Sequence, residues 1–161
     1  MYRLYEDVEY YIRCEIRSSV EASFDLDETI ERVIEACKPL AQDTRVEYER
    51  QQVMLFGDRR GFVKVISNLL SNALKYNHNN APIRIYYEAG TLVIEDKGIG
   101  MSEADLFLVF DRYYQADASK EGYGIGLSLV KAYCDECKIL FAIESKFGLG
   151  TKVSLDLSRL V

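Results

Sequence analysis

The sequence predicts an α/β two-layer sandwich, a mixed sheet covered on one face by helices. Three observations lead there. Some segments repeat apolar residues at helical spacing, and others alternate apolar with polar residues. The two kinds of segment follow one another along a single chain. That chain has 161 residues, 48% hydrophobic and 29% charged, enough to bury one ordinary core and too apolar for wholesale disorder.

From the start, Leu4, Val8, Ile12, Ile16 and Val20 recur every four residues, which predicts a helix from 2 to about 21. A lone helix of that length is marginal in water, so its stripe must pack on this domain or on a second helix of a hairpin or dimer stalk. Ser23-Phe24-Asp25 breaks the pattern. Asp25 is a good N-cap, with Glu28 as its capping-box partner. The next helix runs to about Ala41 with Ile30, Val33, Ile34 and Cys37 on one face. Arg45 to Glu49 and Val53 to Phe56 alternate and predict two short strands joined near Arg50-Gln51-Gln52. Asp58 caps a helix whose stripe is Phe62, Val65, Ile66, Leu69, Leu70, Ala73 and Leu74, ending in the polar cluster Asn77-His78-Asn79-Asn80. Pro82 to Glu88 and Thr91 to Asp96 predict a hairpin turning at Ala89-Gly90. Ser102 caps a short helix with Asp105 in its third position. Residues 111 to 121 carry no apolar stripe and predict a loop. Gly126 to about Glu136 is helical. Ile139 to Ser145 and Thr151 to Leu157 are strands joined by Lys146-Phe147-Gly148-Leu149-Gly150.

Composition narrows the chemistry. Twenty basic against twenty-six acidic side chains give a formal charge of −6, which disfavours nucleic acid as a partner. No apolar run is long enough to span a bilayer, and residues 1 to 7 lack the apolar core of a signal peptide. Cys14, Cys37, Cys134 and Cys137 suit reduced thiols of a cytosolic protein. Cys134 and Cys137 have metal-like spacing, but the single histidine, His78, is remote, so a helix end with two ordinary thiols is expected there. No Gly-Lys-Ser or Gly-Lys-Thr occurs, which excludes a P-loop, and no His-Arg-Asp, which excludes the protein-kinase fold. His78 has no glycine-framed serine to serve as a nucleophile partner.

Three clusters remain, each at the end of an element. Asn68, Asn72 and Lys75 share one face of a helix that needs no polar residues there, and an Asn carbonyl is an uncharged oxygen ligand for a hard cation such as Mg2+. The plain alternative is solvated amides. Asp96-Lys97-Gly98-Ile99-Gly100-Met101 follows a strand. Its carboxylate can accept from an exocyclic amine, its glycines leave room for a flat ring, and Ile99 and Met101 offer apolar walls. A simple strand-to-helix turn is the alternative. Gly122-Tyr123-Gly124-Ile125-Gly126-Leu127 leads into a helix, whose backbone N–H groups suit phosphate oxygens. It is not a dinucleotide loop, because the third glycine would fall at Leu127 and no strand immediately precedes it.

In this order and spacing the clusters resemble the ATP-binding domain of two-component sensor histidine kinases, in the family shared with gyrase, the mismatch-repair ATPases and the ninety-kilodalton heat-shock chaperone. Asn68 to Tyr76 is similar to the family's N box, Asp96 to Gly100 to its first glycine box and Phe110-Asp111-Arg112-Tyr113-Tyr114 to its F box. Gly122 to Leu127 is similar to the second glycine box and Gly148-Leu149-Gly150-Thr151 to the closing glycine-threonine turn. The resemblance covers about 24 to 160. It implies the Bergerat fold, with a mixed, mostly antiparallel sheet. It implies ATP and Mg2+ as cofactors. Asp96 would bind the adenine amino group with Thr151 supporting it through water, and Tyr76, Ile99 and Met101 would line the adenine pocket beside Gly98 and Gly100. Asn72 would hold magnesium with Asn68 close by, and Lys75 and Arg112 would meet phosphate oxygens. A lid from 111 to 121 would be anchored by Phe110. Gly122, Gly124 and Gly126 would face the triphosphate, framed by Tyr123, Ile125 and Leu127. Asn68, Asn72, Lys75 and Arg112 would then be the catalytic set.

In hydrolytic relatives a water-activating Glu stands four residues before the magnesium Asn. Here that place is Asn68, which is no base at neutral pH, and this favours transfer over hydrolysis. The resemblance therefore implies a kinase domain that moves the γ-phosphoryl of ATP to a histidine on a dimerisation domain, for relay to a response-regulator aspartate. Residues 1–22 would be the tail of that dimerisation and phosphoacceptor domain, and 23–161 the ATP-binding domain. The parent would be a bacterial homodimer at the inner membrane, with this part in the cytoplasm. A hydrolytic ATPase, an anti-sigma serine kinase and a degenerate nucleotide-responsive module are the rivals. Gln115 stands where many relatives carry a second phosphate-binding Arg, for which Lys120 is a candidate substitute. Cys137-Lys138 replaces a usual His-Gly pair, which leads to an expected local change of turn. His78 precedes Asn in a loop and does not match the phosphoacceptor pattern.

Overall fold

A computed structural model describes residues 20–78, 80–104 and 126–161. The elements are β1 (Ala22–Asp25), α1 (Leu26–Ala41), β2 (Val46–Tyr48), β3 (Met54–Gly57), α2 (Arg59–Lys75), β4 (Ile83–Glu88), β5 (Thr91–Glu95), α3 (Gly126–Cys137), β6 (Phe141–Lys146) and β7 (Gly150–Asp156). Five strands form one sheet in the order β2-β4-β5-β7-β6. β2 and β4 run parallel and the other neighbours antiparallel. This is the mixed, mostly antiparallel sheet of the Bergerat fold.

Alternation decides which face is covered. Ile83 and Ile85, Leu92 and Ile94, and Val153 and Leu155 are buried in one core with Phe62, Ile66 and Leu70 of α2 and Val130 and Tyr133 of α3. The apolar stripe of α2 is buried along its whole length, so Asn68, Asn72 and Lys75 lie half-buried on its flank. Asp58 caps α2 by accepting from the Gly61 N–H at 3.0 Å. The β4–β5 turn takes positive φ at Ala89 (49°) and Gly90 (84°), the left-handed pair that a two-residue hairpin needs.

Several expectations change. Residues 23–25 are not only a break: they lie in β1, which pairs antiparallel with β3 in a separate two-stranded sheet. Asp25 ends that strand and caps α1, accepting from the Glu28 N–H at 3.0 Å. The Glu28 carboxylate does not close a capping box, because it lies 2.7 Å from Arg32 and 3.7 Å from Arg59. β2 and β3 exist but sit in different sheets. Between them stands Asp27, a buried carboxylate that accepts from the Tyr48 hydroxyl (2.6 Å) and from the N–H groups of Gln51 (2.9 Å) and Gln52 (2.8 Å). It holds the connection between the strands against α1. Val20 and Glu21 are not helical, and the rest of the first predicted helix lies outside the described residues. So do Asp105 with most of its helix, and the loop from 111 to 121. Cys37, Cys134 and Cys137 are free thiols.

After α3 the chain closes through two backbone hydrogen bonds. Ile139 N–H donates to the Cys134 carbonyl (2.8 Å) and Lys138 N–H to that of Asp135 (3.4 Å), a Schellman closure in which Lys138 takes φ 55°. A lysine occupies the conformation glycine favours.

Candidate nucleotide site

The Asp96 strand end, the turn that follows it, the end of α2 and the β6–β7 turn meet at one end of the sheet. Asp96 N–H donates to the Thr151 carbonyl at 2.9 Å, which fixes the end of β5 against β7. The Asp96 carboxylate accepts from the Gly98 N–H at 2.8 Å. Ile99 N–H donates to the Tyr76 carbonyl (3.1 Å) and Gly148 N–H to that of Ile99 (2.6 Å). The turn at 98–101 is thus stitched to the helix end on one side and to the β6–β7 turn on the other.

The glycines serve this stitching. A side chain at Gly98 would collide with the Tyr76 carbonyl, and one at Gly100, where φ is 64°, with that of Lys146. The room expected for a flat ring is, in these directions, taken by backbone. Gly150, at φ 115°, lies against the Asp96 carbonyl in the same way. Tyr76, Asp96, Gly98, Ile99, Gly100, Met101 and Thr151 are therefore brought together at this corner. Burial pushes the Asp96 carboxyl above the usual aspartate range, opposed by the hydrogen bond from Gly98.

Asn68, Asn72 and Lys75 approach this corner along α2, which ends directly before Tyr76. Asn68 donates its side-chain amide to the Lys64 carbonyl at 2.9 Å, so Oδ1 is the atom left to face a ligand. The Lys75 ammonium lies 5.7 Å from the Tyr76 ring centroid. Among the described residues no three His, Cys, Asp or Glu side chains form a metal cage. Neutral amide oxygens instead suit a hard cation whose remaining ligands are phosphate and water. Gly126 opens α3 and Leu127 packs partly against the core. Phe110, Arg112, Gly122, Tyr123, Gly124 and Ile125 lie outside the described residues. Ser145 was not singled out from sequence. It accepts from the Met101 N–H at 2.8 Å and lies 2.8 Å from the Thr151 hydroxyl. A lone serine in a strand gives no cue to such a role.

The family model for histidine kinase-, DNA gyrase B- and HSP90-like ATPases matches residues 57–160. The chain belongs to this ATPase family. It is 31% identical to the sensor histidine kinase YkoH of Bacillus subtilis over 148 residues, covering 85% of this chain and 32% of that protein. It is also 31% identical to the histidine protein kinase DivJ of Caulobacter vibrioides, covering 89% of this chain and 27% of DivJ. The chain thus spans about a third or less of these curated relatives. Among solved structures, the mycobacterial sensor histidine kinase MprB shares the fold at a TM-score of 0.75 and 24% identity, over 84% of this chain and 95% of that one. The Acinetobacter baumannii histidine kinase AdeS does so at 0.73 and 20% identity, over 97% and 78%. As a member of this ATPase family the chain is an ATP-binding domain, and the corner around Asp96 is its candidate nucleotide site.

Proposed function

We propose that this ATPase-family domain is the catalytic part of a sensor histidine kinase and passes the γ-phosphoryl group of Mg-ATP to a histidine on a dimerisation domain of the same protein. The observation that carries the reading is the meeting of Asp96, the 98–101 turn and Thr151 beside the end of the helix bearing Asn68, Asn72 and Lys75. Asp96 accepts from the adenine amino group while Tyr76, Ile99 and Met101 flank the ring. Asn72, with Asn68 beside it, holds magnesium, which when bound neutralises charge on the phosphate oxygens. Lys75 and Arg112 would meet the same oxygens, and Gly122, Gly124 and Gly126 would face the triphosphate, framed by Tyr123, Ile125 and Leu127. Positioning and charge stabilisation are what phosphoryl transfer asks of a protein. Asn68 cannot activate water, so ATP persists until the histidine arrives. The kinase names of the curated relatives support transfer over hydrolysis. The histidine's phosphate then passes to the aspartate of a response-regulator receiver domain. The parent acts as a homodimer with this domain in the cytoplasm. Among the described residues no helix is long and apolar enough to cross a membrane.

Incubation with radiolabelled ATP and a supplied dimerisation domain tests this. Acid-labile label on histidine is expected, with Asn72→Asp reducing it at least a hundredfold, a loss of roughly 2.7 kcal/mol of transition-state stabilisation. Equal labelling by wild type and Asn72→Asp, or acid-stable label on serine, overturns the reading.

A further inference from the structure

Asp96 and the turn that follows it are joined to the β6–β7 hairpin in two chemically different ways. Asp96 N–H donates to the Thr151 carbonyl at 2.9 Å and Gly148 N–H to that of Ile99 at 2.6 Å. Both bonds run from backbone to backbone, so no side-chain substitution deletes them directly. Met101 N–H instead donates to Ser145 Oγ at 2.8 Å, and this bond ends on a side chain. Ser145 also donates to the Gly150 carbonyl at 3.0 Å and lies 2.8 Å from the Thr151 hydroxyl. A hydroxyl has one proton and two lone pairs, and these three partners occupy all of them. Nothing on Ser145 is left to bind a ligand, so it acts on one only through its partners.

Those partners matter for the base. The turn is fixed at its start by Gly98 N–H on the Asp96 carboxylate (2.8 Å) and next by Ile99 N–H on the Tyr76 carbonyl (3.1 Å). At its far end, Met101, the hold rests on Ser145. Met101 and Thr151, which reach the site from different segments of the chain, thus share one hydroxyl. Without it the Met101 N–H loses its acceptor, and both residues must be ordered when a ligand arrives, which weakens binding.

We propose that Ser145 is a positioning residue for the nucleotide base: by holding Met101 and Thr151 on one hydroxyl it sets the base end of the site before ATP arrives. The inference rests on the reading that the adenine of ATP lies at Asp96. It adds to that reading a residue outside the boxes that touches no part of the nucleotide.

Calorimetric dissociation constants for ATP and ADP, in excess magnesium, test it. Ser145→Ala should raise both by about fivefold to tenfold, the scale of one hydrogen bond. The factor should be the same for the two, because they share the base and differ only in the γ-phosphate. Ser145→Thr, which keeps a hydroxyl, should restore both constants, and a threonine variant as weak as the alanine one counts against the hydroxyl's role. In the labelling assay with a supplied dimerisation domain, KM for ATP should rise in Ser145→Ala while kcat holds. A serine needed only for folding would lower the fraction of protein able to bind, and kcat with it, and leave both dissociation constants unchanged; that result overturns the proposal. So does an unequal factor, which would put the loss at the phosphate end. Should the alanine variant fail to fold, Ser145→Cys serves, close in size but a weaker acceptor. It must also weaken both nucleotides, and unchanged constants again refute the proposal. A wild type that binds neither nucleotide overturns the ATP reading and this one with it. A wild type that binds both while the variants keep its constants overturns only the role of Ser145.

Discussion

Asp96 and Asp27 are both shielded aspartates, and their surroundings push them in opposite directions. At Asp96 burial outweighs the hydrogen bond from Gly98 and raises the carboxyl. At Asp27 burial also opposes charge, but the Tyr48 hydroxyl, the N–H groups of Gln51 and Gln52 and the Arg50 guanidinium outweigh it and hold the carboxyl below 3.8. On the proposed role of Asp96 as acceptor of the adenine amine, Asp96→Asn should weaken ATP binding by about tenfold to a hundredfold, read by calorimetry. Asp27→Asn should cost about 2 kcal/mol in urea denaturation, since a buried ionic acceptor of three hydrogen bonds is replaced. Its pH dependence has a definite sign. Because the folded protein holds that proton less tightly, the unfolded chain binds more protons in the window just under 3.8. The stabilisation is full above 3.8 and is lost as pH falls through the lower folded value, so wild type and Asp27→Asn should converge in acid. A constant difference between them would mean that the ionised form is not what matters. Asp96 was legible in the sequence because it ends an alternating strand before a glycine turn. Asp27 was not singled out, although it sits at helical spacing with Ile30 and Ile34, a carboxylate within an apolar stripe.

Elements with a local code were read correctly, and those decided by distant pairing were not. The α2 stripe and the Ala89-Gly90 turn specify themselves within a few residues. β1 has four residues, and its partner β3 lies some thirty positions away, so nothing local shows that Ser23 to Asp25 pair with anything. β2 and β3 are legible as strands, while their assignment to different sheets is set by pairing with β4 and β1, which no local pattern shows. The end of α3 is the opposite case. No glycine marks this helix end, yet the Schellman bonds hold Lys138 at positive φ. Lys138 is exposed, so relieving that backbone should be nearly free of other consequences. Lys138→Gly is expected to stabilise the protein by about 1 kcal/mol, the penalty for a side chain in the left-handed region, seen as a melting temperature higher by roughly 2–4 °C. Lys138→Ala, which keeps a Cβ, should show little of this gain.

At the scale of the whole molecule, the helices among the described residues cover one face of the sheet, and the register shows how the other is suited to water. Glu47 pairs with Arg84, Arg84 with Glu95, Glu95 with Lys152 and Lys152 with Glu144. A single row across all five strands thus alternates in sign, from residues more than one hundred positions apart. Arg84 lies 3.8 Å from Glu95 and its guanidinium 5.4 Å from the Tyr86 ring centroid, which covers part of the neighbouring row. Directly opposed unlike charges help each pairing only modestly, but a slip of one residue in any strand would carry its charges into the core, so the row also guards the register. Lys152 is its weak point, because it is the only cation between Glu95 and Glu144 in a chain of net charge −6. Lys152→Glu places three acids side by side and should cost about 1 kcal/mol at low ionic strength. Most of that loss should return in molar salt, where charges on an exposed face are screened within about 3 Å. Lys152→Gln should lose less and respond less to salt. Thermal melts of the three proteins across a salt series measure this, and a salt-independent loss in Lys152→Glu would show that the lysine's packing, not its place in the row of charges, is what the open face requires.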